Sequence, residues 1–158
     1  MLIRRYQPQD IEAIKSLHYA GVHQIDPTPE RPDNPFADAD LDDIEGVYLG
    51  NGGDFIIGIE REGIVAMGGI RKYSETCGEI KRIRVRRDYQ RKGYGETILQ
   101  KLIEIAGKLG YKELCLDTLA DNFPAQSLFE KIGFIETDRG NIGTYDLIYY
   151  GKKLKEGG

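Results

Sequence analysis

The 158-residue sequence has few of the residues that build metal centres or disulfide frameworks. It contains two cysteines and two histidines, and neither histidine, His18 or His23, lies near Cys77 or Cys115 in the chain. A zinc site needs closely spaced Cys and His ligands, and two cysteines in a chain of this size imply no disulfide framework. The sequence therefore predicts no metal site, and Cys115, which lies in an apolar strand pattern, is interpreted as a small buried hydrophobic residue.

Long apolar segments and an excess of positive charge are also missing. No apolar run approaches the roughly 20 residues of a membrane-spanning helix, and the segment 1–5 is too short and too soon polar for a signal peptide. The formal net charge of −4 argues against nonspecific binding of nucleic acid by the whole molecule. We therefore expect one globular domain, residues 1–158, in the cytoplasm, with neither a membrane nor a nucleic acid as partner. The sequence is compatible with a homodimer but does not determine the oligomeric state.

Hydrophobic periodicity divides the chain into seven strands and four helices in the order β-α-α-β-β-β-α-β-α-β-β. The segment from Asp26 to Pro35 contains four prolines and is predicted to be a loop. A run of antiparallel strands followed by a β-α-β unit predicts a mixed sheet in an α/β or α+β domain. The tail from Lys152 to Gly158 is expected to fray.

The most informative stretch runs from Glu79 to Glu96. It begins as a β-branched strand pattern, passes through Gly93 and Gly95, and continues as an amphipathic helix. A helix that opens after a glycine-containing loop offers free N–H groups and the positive end of its dipole to an anion. Seven Lys or Arg residues between positions 81 and 92 strengthen this field. The spacing excludes the dinucleotide fingerprint and the P-loop, so the stretch predicts a site for another phosphorylated cofactor.

Two motifs carry a resemblance to the GNAT family of N-acetyltransferases. The first is Gln90-x-x-Gly93-x-Gly95, which resembles the family's pyrophosphate-binding motif. The second lies later in the chain and resembles the family's "L-Y-E-K-x-G-F" helix; it comprises Leu116-Asp117-Thr118, Asn122, Ala125 and Leu128-Phe-Glu-Lys-Ile-Gly-Phe134. The resemblance covers essentially the whole chain. It implies the GNAT acyl-CoA N-acyltransferase fold and acetyl-CoA as co-substrate.

The resemblance also implies which residues hold acetyl-CoA. Backbone N–H groups of residues 91–96 would bind the pyrophosphate, residues 83–85 would pair with the pantetheine arm, and Val85 N–H would polarise the thioester carbonyl. Glu96 departs from the family pattern, because a carboxylate beside a pyrophosphate is unfavourable unless it points away. The cofactor-binding residues implied in this way are Ile83, Arg84, Val85, Gln90, Arg91, Lys92, Gly93, Tyr94, Gly95, Glu96, Asn122, Phe129 and Lys131.

Two catalytic roles are less determined. An alkyl amine with a pKa near ~10 is protonated at neutral pH, and Glu79, eleven residues before Gln90, resembles the catalytic glutamate of histone-acetylating members. The alternatives for Glu79 are an exposed strand-end carboxylate or a partner of Lys81. The family's usual general acid is a tyrosine where this chain has Phe129. Three other tyrosines are candidates to replace it, and nothing in the sequence selects among Tyr73, Tyr145 and Tyr149.

An acidic segment precedes the glycine loop. Between Asp26 and Glu45 there are eight acidic residues and one basic residue. Charge runs are usually solvated faces, and this interpretation is favoured, with a short helix that turns Leu41 and Ile44 inward. The alternative is that the segment surrounds the entrance for a cationic acceptor.

The sequence thus predicts an acetyl-CoA-dependent N-acetyltransferase that moves an acetyl group to a primary amine of a small molecule or protein. A non-catalytic module that binds or senses CoA or acyl-CoA is the alternative, and Phe129 is the residue that supports it.

Overall fold

Seven strands in one mixed sheet form the centre of the structure, a computed structural model that describes residues 1–23 and 39–155. The order across the sheet is β1-β2-β3-β4-β5-β7-β6. Strands β4 and β5 are parallel, and the other neighbouring pairs are antiparallel. The strands are β1 (Leu2–Arg5), β2 (Asp54–Glu60), β3 (Gly63–Lys72), β4 (Cys77–Val85), β5 (Glu113–Leu119), β6 (Ile135–Ile142) and β7 (Tyr145–Lys153).

The described residues form three α-helices, whose first and last residues are explained by local chemistry. Helix α1 (Ile11–His23) follows a 3₁₀ turn, Pro8–Asp10, in which the Asp10 carboxylate accepts the Gln7 N–H at 2.8 Å. Helix α2 (Tyr94–Lys108) is followed by Gly110 at φ +91°, and α3 (Phe123–Ile132) ends at Gly133 at φ +103°. The N-cap of α3 is Asn122, whose Oδ1 accepts the Ala125 N–H at 3.3 Å. Within the described ranges, no helix is long and apolar enough to cross a membrane.

Each face of the sheet carries its own hydrophobic cluster. Helices α2 and α3 cover one face through residues such as Ile98, Leu102 and Phe129. Helix α1 and two short helical turns, Ala39–Asp43 and Glu45–Leu49, cover the opposite face. This second cluster contains Ile14, Leu17, Leu41, Ile44, Tyr48, Phe55, Ile57 and Met67. We call the first the α2/α3 face and the second the α1 face.

The mixed fold and the order of elements along the chain are confirmed, but the second predicted helix is irregular. It consists of a 3₁₀ turn followed by a π-helical turn, although Leu41 and Ile44 are buried as expected. Asp43 Oδ1 accepts the Gly46 N–H at 3.0 Å, and such side-chain acceptors compete with the regular helical pattern. The proline-containing segment and the acidic residues before Asp40 lie outside the described residues.

The expectation that the chain frays from Lys152 is wrong. Strand β7 continues to Lys153, and Lys152 and Lys153 pair with Leu114 and Glu113 of β5. Leu154 N–H then donates to the Lys112 carbonyl at 2.9 Å. A lysine-rich strand end is tolerated here because its backbone is paired while its side chains reach solvent. Residues 156–158 lie outside the described residues.

Two glycines give opposite predictions for substitution by alanine. A Cβ at Gly53 would lie 1.9 Å from the Ile70 carbonyl oxygen, so Gly53→Ala should lower the free energy of unfolding by about 3 kcal/mol. A Cβ at Gly107 would meet nothing within 4 Å, so Gly107→Ala in α2 should raise it by about 0.5–1 kcal/mol. Urea denaturation followed by circular dichroism measures both. Equal stability of the two variants would contradict this packing.

Candidate active site

Strands β4 and β5 pair over a short distance and then diverge. Their parallel register joins Cys77, Gly78 and Glu79 to residues 113–115, and no pairing is found beyond it. A cavity of about 170 Å³ opens between the two strands and the first turns of α3. Its walls come from β4, β5 and α3: Ile80, Lys81, Arg82, Ile83, Arg84, Leu116, Asp117, Thr118, Leu119, Asn122, Ala125, Leu128 and Phe129. The residues of the second sequence motif therefore form much of this wall.

A β-bulge at Arg82 accompanies the divergence. Arg82 has φ +61°, and the register of β4 against β3 shifts between Met67 and Gly69. A bulge bends its strand and increases the local twist, which turns the second half of β4 away from β5. A positive φ at a residue other than glycine costs on the order of 1–3 kcal/mol, so surrounding contacts must hold it.

The Arg82 guanidinium is held by a buried carboxylate. Its Nη2 and Nε lie 2.6 and 3.0 Å from the two carboxylate oxygens of Asp40, and the Tyr48 hydroxyl donates to the same carboxylate at 2.5 Å. Both charged side chains are less than 10% exposed. Burial opposes ionisation of Asp40, but the hydrogen bonds and charge of Arg82 outweigh it and lower the pKa of Asp40 to about 2. Asp40 therefore belongs to neither a solvated face nor an open entrance, in contrast to both interpretations of the acidic segment.

The backbone of Val85 turns toward the cleft. Arg86 N–H donates to the Val65 carbonyl of β3 at 2.7 Å. Because successive N–H groups of a strand point in opposite directions, Val85 N–H points away from β3, toward the space that β5 has left. The Gln90 side-chain amide donates to the Val85 carbonyl at 3.0 Å, which ties the loop after β4 to the end of the strand.

The glycine loop presents free N–H groups beside this cleft. Arg91 and Gly93 have φ values of +65° and +84°, and Gly93 is the N-cap of α2. Thr97 N–H donates to the Gly93 carbonyl at 3.0 Å, so the preceding N–H groups of the first turn have no intrahelical acceptor. A Cβ at Gly95 would lie 3.7 and 3.8 Å from side-chain atoms of Val85 and Leu128, which places the loop against the cavity wall. This arrangement suits an anionic group at the helix N-terminus.

The side chains around the loop are largely engaged with one another. Lys131 Nζ lies 2.7 Å from the Glu96 carboxylate, so an ion pair between α3 and α2 compensates the negative charge near the helix N-terminus. The Tyr94 hydroxyl donates to Glu60, and the Tyr94 ring stacks on Tyr89 at 5.9 Å between ring centres. Lys92 Nζ lies 4.9 Å from the centre of the Tyr89 ring.

Among the predicted cofactor residues, the structure groups some in the cavity wall and others in the loop. Ile83, Arg84, Asn122 and Phe129 line the cavity, whereas residues 90–96 form the adjoining loop and helix start. Lys131 is not part of the cavity wall, and its ammonium faces Glu96.

Phe129 is both a cavity wall and a core residue. It is 7% exposed and packs against Phe134 and Tyr150, with ring centres 6.0 and 5.9 Å away. None of the three tyrosines considered as replacements for a general acid, Tyr73, Tyr145 and Tyr149, lines the cavity. A phenol from these positions is therefore not part of the wall.

Two carboxylates lie near the point of divergence. Glu79 accepts a hydrogen bond from Arg71 Nε at 2.8 Å, with its side chain 15% exposed, so it is neither an exposed strand-end residue nor the partner of Lys81. Asp117 lines the cavity itself, and burial raises its pKa against the opposing charge of Lys81. The sequence placed Asp117 only within a motif; its position near the end of β5 is the signal that identifies it as a site residue.

The remaining titratable groups do not form a metal centre among residues 1–23 and 39–155: no cluster of three or more His, Cys, Asp or Glu side chains is found there. Cys77 and Cys115 are free thiols on β4 and β5, and burial raises the pKa of each. Cys77 is buried and Cys115 half-buried, which agrees only in part with the interpretation of Cys115 as a core residue. His18 is fully buried.

Comparison with known proteins identifies the relatives of this chain. A family model described as "Acetyltransferase (GNAT) family" matches residues 19–134. The uncharacterized N-acetyltransferase YsnE of Bacillus subtilis is 36% identical over 77 residues, which are 48% of this chain and 51% of that protein. The matched stretch thus spans about half the length of this curated relative.

Solved structures resemble the whole chain. An acetyltransferase of the GNAT family from Staphylococcus aureus Mu50 has a TM-score of 0.83 at 23% identity, covering 98% of this chain and 99% of that one. A GNAT superfamily phosphinothricin acetyltransferase from Sinorhizobium meliloti, in complex with acetyl-CoA, has a TM-score of 0.80 at 16% identity, covering 99% and 89% of the two chains. At these identities the likeness concerns the fold.

The buried pair gives a stability prediction. Asp40→Asn should lower the free energy of unfolding by about 3–5 kcal/mol, because it leaves the Arg82 guanidinium buried without its anion. The exposed Asp42, 2.9 Å from Lys15, is the matched control, and Asp42→Asn should cost less than about 1 kcal/mol. Urea denaturation at pH 7 measures both.

The same pair fixes the direction of a pH effect. The pKa of Asp40 is lowered in the folded state. Its ionised carboxylate therefore contributes fully to the free energy of unfolding above its unfolded-state pKa near 4, and this contribution is lost as pH falls through about 2. The stability gap between wild type and Asp40→Asn should therefore narrow in acid. A gap that stays constant between pH 7 and pH 2.5 would contradict the ion pair.

Proposed function

Because the chain belongs to the GNAT family of acetyltransferases, we propose that it moves the acetyl group of acetyl-CoA to a primary amine of a small molecule or protein. The observation that carries this proposal is the divergence of β4 and β5 directly beside the free N–H groups of α2. The sheet thereby leaves an unpaired strand edge, an anion site and a cavity next to one another. A phosphorylated, extended thioester has groups that match all three.

The proposed binding of acetyl-CoA uses mainly the backbone. Acetyl-CoA supplies a pyrophosphate, an extended amide-containing arm and an acetyl thioester. The N–H groups at the start of α2 bind the pyrophosphate, and the edge of β4 at residues 83–85 pairs with the arm. Val85 N–H donates to the thioester carbonyl oxygen, where negative charge develops during attack. Asn122 and Phe129 form the wall that limits access of water from the α3 side.

The amine must lose a proton before or during its direct attack on the thioester. We propose Glu79 as the general base, acting directly or through a water molecule. Its hydrogen bond from Arg71 Nε at 2.8 Å holds the Glu79 carboxylate beside the point where β4 and β5 diverge. Asp117 is the second candidate, because it lines the cavity and burial raises its pKa, which makes it a stronger base than an ordinary aspartate.

Departure of CoA does not require a phenol in this mechanism. A thiol has a pKa near ~8.5, so CoA can leave as a thiolate with modest assistance. Phe129 at the wall supports this route, but the same residue supports the alternative of a module that binds acyl-CoA without turnover. Turnover itself must therefore be measured.

Release of free thiol distinguishes an enzyme from a binding module. With acetyl-CoA and a panel of amines, the full chain should release thiol faster with at least one amine than without any. The released thiol is measured with a chromogenic disulfide reagent, and binding of CoA is measured in parallel by calorimetry. If CoA binds and no amine raises thiol release above background, the binding-module function replaces the enzyme.

Substitutions of the two carboxylates identify the base. If Glu79 is the base, Glu79→Gln should lower kcat by about 10²–10⁴-fold and shift the pH optimum upward, because only amine already deprotonated in solution then reacts. Asp117→Asn is the matched comparison and should leave the pH profile in place. A reversed result, with the profile altered only in Asp117→Asn, would assign the base to Asp117.

We also propose a cytoplasmic location. For the assembly, monomer and homodimer are alternatives, and light scattering of the purified full chain distinguishes them.

A further inference from the structure

Two of the three arginines on the α1 face near the cavity are each bonded to a carboxylate, and the third is not. Arg71 is bonded to Glu79 and Arg82 to Asp40. Arg84 lies on the same face, because its neighbours Ile83 and Val85 both pack against the α2/α3 cluster and side chains alternate along a strand. Among the described residues, no carboxylate lies within ion-pair distance of Arg84.

The Arg84 guanidinium has an unmet hydrogen-bonding capacity. Its Nη1 donates to the Ile83 carbonyl at 3.1 Å, but its Nε is buried and has no partner among the described residues. Burial, and then the positive charge of Arg82, lower the pKa of Arg84. A buried guanidinium donor without an acceptor is unfavourable in the free protein, so an anion bound there would relieve the cost. Arg84 is one of the residues that line the cavity where β4 and β5 diverge.

The position of Arg84 relates the anion to the reaction. It immediately precedes Val85, whose N–H points into the cleft where the proposed function places the thioester carbonyl. An acceptor whose amine reaches the thioester can therefore present a second group to Arg84 only if the two groups are close together. A guanidinium fork matches a carboxylate in shape and charge.

We propose that Arg84 binds a carboxylate that the acceptor carries close to its reacting amine, so that the acceptor is an amino acid rather than a simple amine or a peptide N-terminus. This inference rests on the proposed function and specifies its substrate class. Asp40 of the acidic segment takes no direct part in binding the acceptor, because its carboxylate is bonded to Arg82. The acceptor contributes a cationic amine, but the described residues select it by its anion.

The experiment compares the common L-amino acids with the corresponding L-amino acid amides, which keep the amine and replace the carboxylate by a neutral group. In the wild type, kcat/KM for the preferred acid should exceed that for its amide by about tenfold or more, as expected for a charge-assisted bidentate contact. Arg84→Gln should bring this ratio close to one, chiefly by raising KM for the acid. Arg84→Lys, which keeps the charge but not the fork, should give an intermediate ratio. Arg61→Gln, at the exposed turn between β2 and β3, is the control and should keep the wild-type ratio.

A binding measurement separates this inference from the proposed function. The same acids and amides are titrated into the full chain saturated with CoA, and the shift in Tm is recorded for wild type, Arg84→Gln and Arg84→Lys. Stabilisation by acids over amides in wild type, lost in Arg84→Gln, supports the carboxylate site even if no amine releases thiol. Equal effects of acids and amides in wild type, or a preference that survives in Arg84→Gln, would overturn it while leaving acetyl transfer intact. If Arg84→Gln does not fold, an unchanged preference in Arg84→Lys also counts against the bidentate contact.

Discussion

The bulge at Arg82, and the buried carboxylate that holds it, is the constraint on which the site depends. In an uninterrupted sheet, β4 would continue to pair with β5 and its backbone groups would be satisfied by that neighbour. The positive φ of Arg82 is costly, and the hydrogen bonds from its guanidinium to Asp40 stabilise the conformation. Asp40 lies in the turn Ala39–Asp43, which places Leu41 in the core, and it accepts a hydrogen bond from Tyr48 of the next turn. The α1 face of the protein is therefore directly coupled to the shape of the cleft.

The two faces of the sheet divide the chemistry between them. On the α2/α3 face, a helix N-terminus, a glycine loop and an apolar wall lie next to one another, and few charged side chains take part. The one carboxylate in that helix start, Glu96, is compensated by Lys131. On the α1 face, ionic side chains lie close together and mostly neutralise each other. Arg84 on the same face has a buried Nε without a partner among the described residues.

Much of the site was accessible from the sequence because it is local. The glycines at 93 and 95, the polar residue at 90 and the amphipathic helix that follows them lie within a few residues of each other, and helix starts obey local rules. The cap at Asn122 and the wall residue Phe129 belong to a second local motif. The order of strands and helices also follows from periodicity, so the mixed fold was predicted correctly. The irregular acidic turn was not, because side-chain acceptors such as Asp43 compete with helical hydrogen bonds.

What the sequence by itself determined is thus the family resemblance, the order of elements and the glycine loop at the start of α2. What only the tertiary structure decided is which charges meet. Arg82 and Asp40 are separated by 42 positions, and Glu79 is bonded to Arg71 of the neighbouring strand rather than to Lys81. Strand register and a single bulge choose these partners, and neither leaves a short-range pattern in the chain. For the same reason, the unpartnered Nε of Arg84 and the pairing of β7 through Lys153 follow from the arrangement of the strands and not from the local sequence.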